Sequence, residues 1–169
     1  MKYILSLIIV VFTLMSKAYA QDAFEKWDQN YRKIELLNVL NFEQHYADSI
    51  DANTTLGKGS YYFRHDKFKF SAKYLGEVRE VDSQVMRSMK NVFKRLGGNS
   101  ELLENDIRNE HLFQVGDIKF WAPIQKQLEK PLRKEIKKGD SVLLYCLFLN
   151  EHSSNGLFNS LLISEFKKE

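Results

Sequence analysis

One cysteine, two prolines and eight glycines in 169 residues leave few ways to staple or punctuate this chain. Cys146 has no partner for an intrachain disulfide, so stability has to come from an apolar core. Its neighbours, Val142-Leu143-Leu144-Tyr145 and Leu147-Phe148-Leu149, are apolar on both sides, which is the setting of an inert buried thiol. Beyond residue 20 no apolar run approaches the roughly 20 residues of a bilayer-spanning helix, so no stable membrane span is expected there. Charge of one sign is lacking as well. The formal +3 counts Lys2 and Lys17, and residues 21–169 carry +1, too little for a long-range field that would recruit nucleic acid.

The first twenty residues carry the most specific signal. Lys2 gives a short positive start, Ile4 to Met15 form an apolar stretch broken only by Ser6 and Thr13, and Ala18-Tyr19-Ala20 places small residues where a signal peptidase reads. The expectation is a signal peptide over 1–20, cleavage before Gln21, and export of residues 21–169 as a single globular domain, periplasmic or secreted. No cysteine lies near the cleavage point to take a lipid.

Periodicity then orders the domain. Phe24, Trp27, Tyr31, Ile34 and Leu37, continued with a slight rotation by Val39, Phe42, Tyr46 and Ile50, predict one long helix over 22–50. A Gly-rich stretch to Ser60 follows, then a short strand Tyr61-Tyr62-Phe63. From Lys67 to Arg79 apolar and polar residues alternate, as in a half-buried strand. Asp82 or Ser83 caps a helix that Gly97-Gly98 stops, and a short helix follows from Ser100. Gly116-Asp117 turns a hairpin within Leu112–Trp121. Ile124, Leu128, Leu132 and Ile136 line a helix in which Pro131 predicts a kink or break. Val142–Leu149 reads as a central strand, and Asn150–Gly156 as the loop to a last strand. The order predicts an α+β domain with a largely antiparallel sheet of five or six strands, curled into a half-barrel and packed against a long N-terminal helix and shorter helices.

Catalytic motifs are missing. Gly57-Lys58-Gly59-Ser60 lacks the spacing and the strand-to-helix context of a phosphate-binding loop. His45, His65, His111 and His152 are scattered, read as solvated, and show no metal-ligand spacing. Neither Gly-x-Ser-x-Gly nor Ser-x-x-Lys occurs. No cofactor and no metal are expected. Three features bid for a ligand-binding role. Lys67, Lys69 and Lys73, with Arg64 and His65, form a basic stripe for phosphate or carboxylate groups. Tyr61 and Tyr62 are aromatics beside it, suited to stack on a sugar or to anchor a partner. Trp121 stands at the strand-to-helix corner Trp121-Ala122-Pro123. The reading that follows is a small exported binding or interaction module with a protein or cell-envelope ligand. The competing reading is an exported hydrolase of envelope polymers using dispersed Asp, Glu and His residues, and a third is a structural envelope protein.

Overall fold

The computed structural model describes residues 24–53, 55–57 and 59–169; the expected signal and its cleavage point fall outside them. The chain divides into two compact units, one ending at Arg32 and one spanning Lys33–Glu169. In the first, residues 24–30 form helix α1, where the Asn30 side chain donates to the Lys26 carbonyl at 2.7 Å and the Trp27 and Tyr31 rings stand 5.1 Å apart. The remaining elements are β1 (Arg32–Lys33), α2 (Leu36–Asp51), β2 (Tyr62–Glu80), α3 (Ser83–Arg95), α4 (Glu101–Asp106), β3 (Ile107–Val115), β4 (Ile118–Gln125), α5 (Lys126–Glu135), β5 (Ser141–Ser153) and β6 (Gly156–Lys168).

The fold is α+β, with a mixed sheet of six strands in the order β1-β2-β3-β4-β6-β5 and five helices among the described residues. The pairs β2–β3, β2–β5, β3–β4 and β5–β6 are antiparallel, while β4 meets β6 in parallel at Ile124↔Ile163. That parallel step makes the sheet mixed rather than simply antiparallel. The pairings return from β5 to β2 as a ring of hydrogen bonds, which does not make a barrel.

The expected long helix over 22–50 is interrupted. Residues 31–35 leave the helix, β1 lies there, and the Ile34 amide donates to the Lys69 carbonyl at 3.1 Å. A distant strand therefore supplies the backbone partner that a continuous helix would have used, and nothing local marks the break. Because α2 starts afresh after an extended Glu35, its inward residues are Leu36, Val39, Leu40, Glu43 and Ala47. Phe42, expected inward, is 55% exposed.

Elsewhere some local signals agree with the structure and others do not. Asp82 caps α3 by accepting from the Gln84 and Val85 amides. Gly116 has φ +56 while no non-glycine residue among the described ones has positive φ, so Gly116-Asp117 turns as a type II′ hairpin. β2 is one strand from Tyr62 to Glu80, with a register shift between Tyr74 and Val78 where Gly76 adopts φ +79. α5 starts only at Lys126, because Ile124 belongs to β4, and it continues through Pro131 rather than breaking there. β5 lies between β2 and β6, as a central strand should. It runs to Ser153, so the expected loop over 150–156 shrinks to a turn at Ser154-Asn155.

Apolar side chains collect on both faces of the sheet. Phe68, Phe70, Ala72 and Tyr74 of β2 join Val142, Leu144, Cys146 and Phe148 of β5 beneath Leu36, Leu132 and Ile136. The other face packs Leu149 and Leu162 against Met89 and Val92 of α3 and Leu103 of α4. Burial pushes the Cys146 thiol well above its ordinary range, in keeping with an inert side chain. Among the described residues no helix is long and apolar enough to cross a membrane.

Candidate functional site

The polar side chains converge where β2 begins and β5 ends. Pairing between them is unbroken from Tyr62↔His152 to Lys73↔Ser141, so odd- and even-numbered residues of β2 leave the sheet on opposite faces throughout that stretch. Tyr61 and Phe63 share a side, their rings 6.3 Å apart, and the same parity carries Lys67, Lys69 and Lys73. Lys67 and Lys73 are exposed and Lys69 is half-buried. Tyr62 and Arg64 face the other way.

On the odd face, Tyr61 lines an open cleft of about 510 Å³ with Asn91, Lys94 and Arg95 of α3. The Arg95 guanidinium lies 4.1 Å from the Tyr61 ring centre, a stacking that holds a planar fork ready for a carboxylate or phosphate. Behind them Glu151, buried, accepts from Asn91 Nδ2 at 2.9 Å and interacts with the Tyr61 hydroxyl. The Tyr61 phenol is raised by burial first and by the Glu151 charge next, and Arg95 opposes both.

On the even face the Tyr62 ring stacks on His152 at 5.0 Å and meets Tyr46 edge-on at 4.9 Å. Burial, then the Glu43 carboxylate, pushes the Tyr62 phenol up to about 12. Arg64 lies 3.4 Å from Glu43 Oε1, and burial raises the Glu43 carboxyl while Arg64 lowers it. His152 Nδ1 is 2.8 Å from the Ser60 carbonyl, which can only accept, so that nitrogen carries a proton. Its Nε2 lies 3.3 Å from Asp51 Oδ1, which also accepts from the Gly59 amide at 2.7 Å. Gly59, at φ +75, packs so tightly on Ser154 that a Cβ would approach its Cα to 2.8 Å. One histidine thus ties the end of α2 and the following loop to β5.

These positions revise the sequence reading in three places. Arg64, grouped with the lysines, leaves the sheet on the face opposite to theirs. His111 and His152, read as solvated, are buried: His111 Nδ1 is 3.0 Å from the Tyr74 hydroxyl, and burial, then Arg133, lowers the ring to about 4 against a weaker pull from Glu129. Trp121 lies under Arg79, 4.1 Å from its guanidinium carbon, and Arg79 is paired with buried Glu110; it belongs to the β3–β4 hairpin and not to the Tyr61 cleft. Sequence reasoning missed Asn91, Lys94, Arg95, Glu43 and Asp51. The available signals were an acid within the apolar stripe of α2 and three polar residues, Asn150-Glu151-His152, that continue a central strand. Among the described residues no three His, Cys, Asp or Glu side chains gather as metal ligands.

No protein family, no curated protein and no solved structure matches the chain.

Proposed function

We propose that this chain is an exported binding module whose ligand is a protein or cell-envelope component presenting a run of acidic groups. The reading is carried by one alignment: the Tyr61–Asn91–Lys94–Arg95 cleft shares a face of β2 with Lys67, Lys69 and Lys73. Alternate strand residues are separated by roughly 7 Å, so the row extends the cleft's two cations along the sheet. A ligand with one anion engages Arg95 and Lys94, and a longer acidic ligand continues onto the lysines. Export is supported by the apolar stretch Ile4–Met15 followed by Ala18-Tyr19-Ala20.

Affinity capture from an envelope extract of the source cells tests this. The native protein is expected to retain a component that salt elutes, and a Lys94→Ala, Arg95→Ala double variant to retain much less. Equal capture by both would sink the reading. The alternative, an exported hydrolase of envelope polymers, draws on one observation: Glu43, Asp51 and His152 gather around Tyr62 on the even face. It predicts that envelope polymers are shortened by the native protein and left intact by Glu43→Gln.

A further inference from the structure

Arg64 stands where the positive group of a ligand would stand. Its Cζ is 4.1 Å from the ring centre of Tyr46, 5.1 Å from that of Phe42 and 5.6 Å from that of Tyr62. Glu43 closes the inner wall. Aromatic faces around a carboxylate are the chemistry that receives guanidinium and alkylammonium groups. The resident nevertheless fits loosely. An arginine well matched to a carboxylate makes two parallel bonds of about 2.7–2.9 Å, whereas Arg64 makes a single contact to Glu43 of 3.4 Å. Its side chain remains 34% exposed, and Phe42 forms an open side of the cage.

The cage also holds more bonding capacity than Arg64 uses. Glu43 is 4% exposed, yet its Oε2 has no hydrogen-bond partner, and the buried Tyr62 hydroxyl has none either. A buried carboxylate oxygen and a buried phenol left open beside each other's field form a receptor with unmet demand for a donor. Arg64 is tethered to β2, which limits how deeply it enters; a free cation has no such tether.

We propose that the Glu43–Tyr46–Tyr62 corner is a binding site for an organic cation, a guanidinium or alkylammonium group, and that Arg64 is its displaceable occupant. The entering cation takes the place of the guanidinium over Tyr46 and donates to Glu43 Oε2 and the Tyr62 hydroxyl, and Arg64 turns out to solvent. Competition from Arg64 lowers the apparent affinity by the fraction of time it holds the cage. The site lies on the face opposite to the Tyr61 cleft and does not depend on the function proposed for that cleft.

The test is an NMR titration of the full-length, nitrogen-labelled protein with methylguanidinium chloride and, separately, butylammonium chloride, following the arginine Nε–H signals. Both salts stay at concentrations below denaturation. The expected result is a saturable shift of the Arg64 signal towards that of a solvated arginine, while the Arg95 signal stays still. Arg64→Ala should bind methylguanidinium about tenfold more tightly than the native chain, and Glu43→Gln should abolish binding. An Arg64 signal that never moves, or Glu43→Gln binding undiminished, would show that the corner is structural packing only. Should Arg64→Ala fail to fold, the titrations of the native chain and of Glu43→Gln decide the matter.

Discussion

Tyr62 and His152 are register partners across β2 and β5, and their rings stack with centroids 5.0 Å apart at 18°. The pair separates two polar networks, because the neighbouring Tyr61 and Glu151 turn to the opposite face and meet α3. One cross-strand pair thus holds the α2 loop on one side while the next residues build the cleft on the other.

Replacing His152 by alanine removes the stack, the bond to the Ser60 carbonyl and the partner of Asp51 together. The expected cost is about 2–4 kcal/mol, the range for losing a buried ring with its hydrogen bonds. Amide exchange at Gly59 and Ser60 should quicken markedly while that at Phe70 and Leu144 changes little. Unaltered exchange at Gly59 would mean that the loop is held by other contacts.

His111 makes stability depend on pH. Its folded value of about 4 lies below the ordinary 6.5 because burial disfavours the charged ring. The unfolded chain therefore binds more protons between those values. The contribution of the neutral ring is complete above about pH 6.5 and is lost as pH falls towards 4, a change on the order of 3 kcal/mol. Glu43, Glu110 and Glu165, all raised from 4.5 mainly by burial, act the other way and weaken the fold as pH climbs past that value. Denaturant melts of the native chain and of His111→Gln isolate the histidine, since the stability difference between them should move against the native chain on acidification. A difference that is flat from about pH 7 to 4 would refute it.

Leu144 is fully buried in β5, so Leu144→Ala should cost about 2–5 kcal/mol. Lys67→Ala, at an exposed position, should cost under about 0.5 kcal/mol. Cys146 should ignore thiol reagents until denaturant unfolds the chain. Comparable midpoints for the two variants, or a thiol that reacts in the native state, would displace β5 from the centre of the core.

The triple change of Lys67, Lys69 and Lys73 to alanine should leave the melting temperature nearly unmoved and weaken capture of an acidic ligand most at low salt, because screening over roughly 8 Å at physiological strength already blunts exposed charges. Undiminished capture at low salt would confine the binding surface to the Tyr61 cleft.

Elements governed by neighbouring residues were legible in the sequence. Asp82 announces α3, Gly116-Asp117 announces the β3–β4 turn, and unbroken apolarity announces β5, because each signal is local. The break at 31–35 was not legible, since the partner of the Ile34 amide is Lys69 on a remote strand. The polarity of Asn150-Glu151-His152 suggests a loop. They remain strand because Asn159, Asn91 and Ser60 supply their partners. The shared face of Tyr61 and the lysines follows from parity alone, whereas Asn91, Lys94 and Arg95 reach the cleft only through the packing of α3. Glu43 is turned inward by the restart of α2, which no local residue marks.

The length of β2 has a kinetic consequence. Its second half pairs with β3 and the Ile34 amide meets it at Lys69, but the continuous pairing of Tyr62 to Lys73 is with β5, far along the chain. β5 and β6 zip locally across a two-residue turn, so this segment is the slow, long-range step of assembly. Until then most of this segment lacks its long partner, with Phe68 and Phe70 on one side. Lysine at every second or fourth position along its other side keeps such nascent edges from joining one another.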